Sequence, residues 1–186
     1  MHLAVSIWSI SILNMNKQGH GYSIWLGANN RHNDAFSELI NKFSRIFKSP
    51  IFEPHVTLLG DIKGNEKEIL EKTKQLAEEL HPYEIRTYEA DHEPEYFRAL
   101  FVHVKETPEV LRANKIAQKI FNTHKEYIPH LSLAYCTAPE KTKDEFTNEI
   151  KESLRGNGHF TARKLSLYET NGNVSDWKLI KTFRLR

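Results

Sequence analysis

Two segments of this chain, 75 residues apart, are nearly the same pentapeptide: Pro54-His55-Val56-Thr57-Leu58 and Pro129-His130-Leu131-Ser132-Leu133. On average residue usage, one such pentapeptide turns up in fewer than roughly one in a thousand chains of this length. Two copies constrain the fold strongly. Apolar residues alternating with His and Thr or Ser mark a half-buried strand, in which residues i and i+2 share a face. Val56 and Leu58 therefore face a core, and His55 and Thr57 face the other way together. Leu131 and Leu133 do the same for His130 and Ser132. If the two strands flank one cleft, it holds two imidazoles and two hydroxyls, a set suited to acid–base chemistry on a phosphate.

The rest of the chain limits the setting. Its 186 residues make one large domain or two small lobes sharing a core. Net charge is only +2, whereas a protein that grips long duplex nucleic acid shows a clearer basic stripe. A small or terminal substrate is expected instead. Cys136 is the only cysteine, so no internal disulfide and no cysteine-based zinc motif can form. This fits a reducing compartment, and a cytoplasmic location is expected, with the nucleus also open. Val5 to Leu13 is apolar but too short to span a bilayer, and it lacks a basic leader and a cleavage site. No membrane association is expected. Residues 1–20 read as an N-terminal extension, although the strand-like character of Ala4 to Leu13 permits an extra edge strand. The domain is placed at residues 21–186.

Periodicity predicts strands over Gly21–Ala28, His55–Asp61, Tyr83–Ala90, Tyr96–Val104, His130–Cys136, His159–Glu169 and Trp177–Leu185. Helices are predicted over Asp34–Lys48, from Asn65 to Leu80 with Asn65 and Glu68 as a capping box, and from Thr107-Pro108 onward. A fourth helix runs from Pro139 to Arg155 and ends at Gly156 and Gly158. Each half thus holds a helix, a His strand and another helix. The fold class is α+β: a two-lobed, pseudo-twofold duplicated plan with two facing antiparallel sheets, helices outside, and the His strands meeting at the axis.

The paired His-x-Thr/Ser segments resemble the signature of the two-histidine (2H) phosphoesterase superfamily, and the wider pattern is similar to its eukaryotic-type cyclic phosphodiesterase branch. Tyr22-Ser23-Ile24-Trp25 resembles the opening strand of that branch. Phe97 to Val104 with Glu106 to Val110 resembles its central strand and next helix, and Tyr127 to Tyr135 its second motif. The resemblance covers Gly21 to Leu185. It implies the opening of cyclic phosphates: nucleoside 2′,3′-cyclic phosphates, ADP-ribose 1″,2″-cyclic phosphate, or both. It implies His55 and His130 as the catalytic pair, with Thr57 and Ser132 binding the phosphate. Tyr135 matches an aromatic near the site, and Trp25 one that contacts the base or ring. Arg98 departs from the branch, where an uncharged polar residue such as Gln stands. Either it holds a second phosphate or the substrate preference has shifted.

The residues themselves support the same chemistry. Hydrolysing a strained cyclic diester takes a base to activate water and an acid to protonate the departing alkoxide. Near neutral pH one histidine can be neutral while its partner is charged. Hydroxyl donors to the non-bridging oxygens need no metal, and no cofactor is expected. His130 is taken as base and His55 as acid. The other eight histidines show no metal-ligand spacing and read as incidental. Lys178, Lys181, Arg184 and Arg186 read as a solubilising edge strand. A monomer acting on a small nucleotide or a terminal cyclic phosphate is expected. Two rival readings stand beside it: a 2′,5′-oligoadenylate or RNA-end phosphodiesterase of the same fold, and a nucleotide-binding module without turnover.

Overall fold

The alternation of the two histidine segments is realised as strands whose apolar side chains are fully covered. The computed structural model describes residues 18–27 and 33–186. In chain order its elements are β1 (Tyr22–Gly27), α1 (Asn33–Phe47), β2 (His55–Ile62), α2 (Glu66–Glu79), β3 (Tyr83–Asp91), β4 (Leu100–Val104), α3 (Pro108–Phe121) and β5 (His130–Ala134). Two short helices, α4 (Glu140–Asp144) and α5 (Thr147–Ser153), precede β6 (His159–Ala162), β7 (Lys164–Glu169) and β8 (Lys178–Arg184). Tyr96–Arg98 and Val174–Asp176 are single 3₁₀ turns. The class is α+β. The segment Ala4 to Leu13 and the strand end at Ala28 lie outside the described residues.

The eight strands among the described residues are antiparallel to their neighbours, in the order β6-β3-β4-β5-β2-β1-β7-β8. The two expected sheets are continuous as two halves of this one sheet, β6-β3-β4-β5 and β2-β1-β7-β8, with a His strand innermost in each. They meet through one register pair, Val56 with Leu131. A cleft lined by residues of both halves includes both His strands. The helices cross over: α1 packs against β5 and α3 against β2, so each half's helix covers the other half's His strand. Ile24, Leu26, Val56, Leu58, Leu100, Val102, Leu131, Leu133, Leu165 and Leu167 are buried on the core face. The intervening Trp25, His55, Thr57, Phe101, Ser132, Ser166 and Tyr168 stand on the other side, as a period of two requires.

Several local expectations are corrected. Tyr96–Arg98 is a turn, not strand, closed by Arg98 N–H donating to the Glu95 carbonyl at 3.1 Å. The predicted strand His159–Glu169 breaks at Arg163, because β6 pairs with β3 in one half and β7 pairs with β1 in the other. The predicted helix Pro139–Arg155 divides into α4 and α5 around Phe146. That ring turns in to meet Phe43 at 5.2 Å and Phe47 at 5.7 Å, both edge-on. Asn65 does cap α2, by accepting from the Lys67 N–H at 3.0 Å. Glu68 pairs with Lys72 instead of closing a capping box. Thr107 and Pro108 open α3 as expected.

Candidate active site

The two histidines are held in the same way from opposite halves. His55 Nδ1 lies 2.6 Å from the Glu53 carbonyl, and His130 Nδ1 lies 2.7 Å from the Ile128 carbonyl. A carbonyl only accepts, so Nδ1 carries the proton in both rings. Nε2 is left as the working nitrogen of each. Both rings line one cleft of about 300 Å³, and so do Thr57, Ser132, Tyr135, Trp25 and Arg98. The structure therefore brings all seven sequence-selected residues to one place.

Their surroundings differ. His55 is buried and stacks on Trp25 at 3.6 Å between centroids and 9° between planes, with Phe52 edge-on to it. Burial disfavours its charged form and brings its pKa down to about 4, against the opposing pull of the Glu53 carbonyl; the charge of His130 lowers it further. His130 is half-buried. Burial lowers its pKa too, the Ile128 carbonyl and Glu93 oppose this, and Arg98 and His103 add to it. His103 stands opposite His130 in the β4–β5 ladder and is tied to Asp91 at 3.0 Å. It is a neighbour of the site rather than an incidental surface residue. His20 also lines the cleft, so the end of the segment assigned to the extension contributes to the wall.

The hydroxyls are not equivalent. Ser132 Oγ donates to the Phe97 carbonyl at 2.9 Å. Thr57 Oγ1 has no protein hydrogen-bond partner among the described residues and opens to the cleft. Tyr135 is stacked on Phe52 at 3.9 Å, and burial pushes its phenol up, with a hydrogen bond to Ser132 acting the other way.

Trp25 and Arg98 both have close partners within the protein. Trp25 is covered on both faces, by His55 on one and by Tyr168 at 3.8 Å on the other. No face remains for a nucleobase. Arg98 Nε donates to Glu93 at 2.7 Å, and its guanidinium also pairs with Glu95 at 3.2 Å. Its charge is already answered by two carboxylates.

Sequence reasoning missed Phe97 and Trp177, which line the cleft beside Tyr135 and lie 5.7 Å apart. Trp177 follows a turn and has no periodic signal. Asp61 and Glu95 add acidic groups to the wall. Among the described residues, no group of three or more His, Cys, Asp or Glu is placed to hold a metal ion. No described helix is long and apolar enough to cross a membrane.

Comparison with known proteins agrees with this architecture. Among solved structures, the fold matches Escherichia coli LigT in its apo form at a TM-score of 0.62, with 10% identity over 90% of this chain and 98% of that one. It matches TT0787 of Thermus thermophilus at 0.60, with 16% identity over 89% and 98%. A cyclic phosphodiesterase of Arabidopsis thaliana is 27% identical over 155 residues, 81% of this chain and 85% of that protein. Residues 20–185 match the family described as cyclic phosphodiesterase-like protein. With that match across nearly its whole length, the chain belongs to the cyclic phosphodiesterase-like family.

Proposed function

We propose that this cyclic phosphodiesterase opens a terminal nucleoside 2′,3′-cyclic phosphate by two-histidine acid–base catalysis without a metal. The observation that carries the reading is the matched Nδ1-to-carbonyl tie of His55 and His130, which commits one nitrogen of each ring and leaves Nε2 of each for the cleft. In the reaction, His130 Nε2 takes a proton from water and the water oxygen forms a bond to phosphorus. The bond from phosphorus to one ring oxygen breaks, and that alkoxide takes the proton held on His55 Nε2. Two features support this division. His130 is the more accessible ring, so it meets water. His55 is walled by aromatics, so its imidazolium is costly, forms beside the phosphate anion, and readily surrenders its proton. Thr57 and Ser132 donate to the non-bridging oxygens as charge develops there.

The electrostatics of the wall favour one substrate class. A cyclic mononucleotide end carries one negative charge, whereas the cyclic phosphate of ADP-ribose adds a diphosphate. Arg98 is engaged by Glu93 and Glu95, and Asp61 and Glu95 line the same cleft. A diphosphate would lie against carboxylates without a free arginine to hold it.

The test is turnover of 2′,3′-cyclic nucleotides and ADP-ribose 1″,2″-cyclic phosphate side by side, in EDTA, by the wild type and by His55→Ala, His130→Ala and the double variant. The expected result is turnover in EDTA with the mononucleotide preferred. Each single variant should lose about 10²–10⁴-fold in kcat, and the double variant should lose far less than their product. Turnover that stops in EDTA and returns with a divalent ion, or a histidine removable with under tenfold loss, would overturn the mechanism.

A further inference from the structure

The hydrogen bond that orients His55 comes from the backbone of a residue whose own side chain is anchored far away in sequence. Glu53 accepts His55 Nδ1–H at its carbonyl, 2.6 Å away. Its carboxylate accepts the Tyr168 hydroxyl at 2.7 Å, across 115 residues. Tyr168, on β7, stacks on Trp25, on β1, and Trp25 stacks on His55. Trp25 is fixed in turn by Nε1–H donating to Ser23 Oγ at 2.7 Å. The contacts close a ring: Glu53, His55, Trp25, Tyr168 and back to Glu53.

This circuit has no counterpart at the other histidine among the described residues. His130 has the carbonyl tie, but the tyrosine beside that carbonyl, Tyr127, buries its hydroxyl without a hydrogen-bond partner. The environment of His130 is charged, with Arg98, Glu93 and His103 acting on it. The two halves of the pseudo-twofold plan therefore hold their imidazoles by different means. Glu53 precedes β2 in an irregular segment between Ser49 and Pro54, where no ladder bond fixes the backbone. Its carbonyl stays aimed at Nδ1 only if something pins the residue, and the long-range bond from Tyr168 does so.

We propose that Tyr168 and Glu53 are positioning residues for His55: their hydrogen bond clamps the carbonyl that sets the tautomer of His55, while the Tyr168 and Trp25 rings fix the plane of the imidazole. Neither Tyr168 nor Glu53 lines the cleft, so the pair acts through His55 and not on the substrate. The proposal rests on the two-histidine reading, in which a general acid must be held in line with the departing oxygen.

The decisive variant is Tyr168→Phe, which keeps the ring on Trp25 and deletes only the hydroxyl. It is assayed on a 2′,3′-cyclic nucleotide, and the His55 ring is followed by ¹⁵N-edited NMR titration of the intact protein. The expected result is a loss in kcat of about tenfold with KM within twofold, together with a displaced His55 titration and a mixed tautomer. Glu53→Ala should reproduce these effects, and Tyr168→Phe/Glu53→Ala should be no worse than either single variant. Glu53→Gln should restore most of kcat, since its amide oxygen can still accept. Wild-type kcat and an unmoved His55 titration in Tyr168→Phe would overturn the proposal, as would multiplicative losses in the double variant. Failure of the two-histidine reading itself would show separately, as turnover surviving in His55→Ala.

Discussion

Ser132 Oγ donates its only proton to the Phe97 carbonyl at 2.9 Å, so this hydroxyl of the cleft is already occupied before any substrate arrives. Its counterpart Thr57 is not. Binding a phosphate at Ser132 exchanges one hydrogen bond for another, whereas at Thr57 it adds one. The hydroxyls that look equivalent in the two pentapeptides are thus energetically different.

Thr57→Val should therefore cost more in kcat/KM than Ser132→Ala, on the order of 1–3 kcal/mol against less than about 1. Stability should show the reverse order. Ser132→Ala orphans the Phe97 carbonyl and should lower unfolding free energy by about 1–2 kcal/mol, while Thr57→Val should leave it nearly unchanged. Steady-state kinetics with denaturant titration of both variants checks the crossing. Equal kinetic losses at the two sites would refute the asymmetry.

The pH dependence follows from the two lowered histidines. His55 is brought down to about 4, and His130 also lies below its ordinary value. Both limbs of the kcat/KM profile, which reports the free enzyme, should then fall below pH 6.5. The kcat profile should sit higher, because a bound phosphate anion favours the imidazolium. Stability carries the same signature. Between pH 6.5 and about 4 the unfolded chain binds a proton at His55 that the folded one refuses, so stability falls as pH falls through that window. The total is on the order of 3 kcal/mol. His55→Gln should flatten that slope, and chemical denaturation at pH 7, 5.5 and 4.5 measures it.

Arg98 offers a directional check on His130. Its guanidinium lowers the His130 pKa, and Glu93, which it neutralises, raises it. Arg98→Gln removes the first and frees the second, so the His130 limb should move to higher pH. A KM increase confined to a diphosphate-bearing substrate, with that limb unmoved, would instead mean that Arg98 leaves its carboxylates to grip a second phosphate.

The face assignments were legible in the sequence because period two is strict in both pentapeptides. Capping at Thr107-Pro108 was equally plain, since the chemistry is local. What could not be read was partnership. The aromatic sandwich of Trp25 depends on Tyr168, a residue whose strand becomes its neighbour only through the sheet order. The break at Arg163 is invisible because both sides of it are good strand sequence; only the need to pair with two different halves divides them. The run Tyr96-Phe97-Arg98 has strand-like aromatic content, but Glu95 and Arg98 close on each other, through the backbone and through their side chains, and make a turn.

The strand that carries His55 also leaves a cost in the backbone. Leu58 falls at a register irregularity between β1 and β2 and has no register partner in β1 or in β5, and a buried unpaired carbonyl is expensive. Asn114, on α3, supplies the missing donor: its Nδ2 lies 2.8 Å from the Leu58 carbonyl, and its own oxygen accepts from Gln118 at 2.6 Å. The residue is 4% exposed, so water does not replace it. Asn114→Leu should cost about 1–3 kcal/mol of stability by orphaning that carbonyl, and Asn114→Asp as much or more, since a carboxylate there accepts where a donor is needed. Because Leu58 follows Thr57 directly, kcat/KM should fall in both variants even at temperatures where they remain folded. Differential scanning calorimetry paired with kinetics well below the transition separates the two effects. Wild-type stability in Asn114→Leu would show that the Leu58 carbonyl needs no such donor.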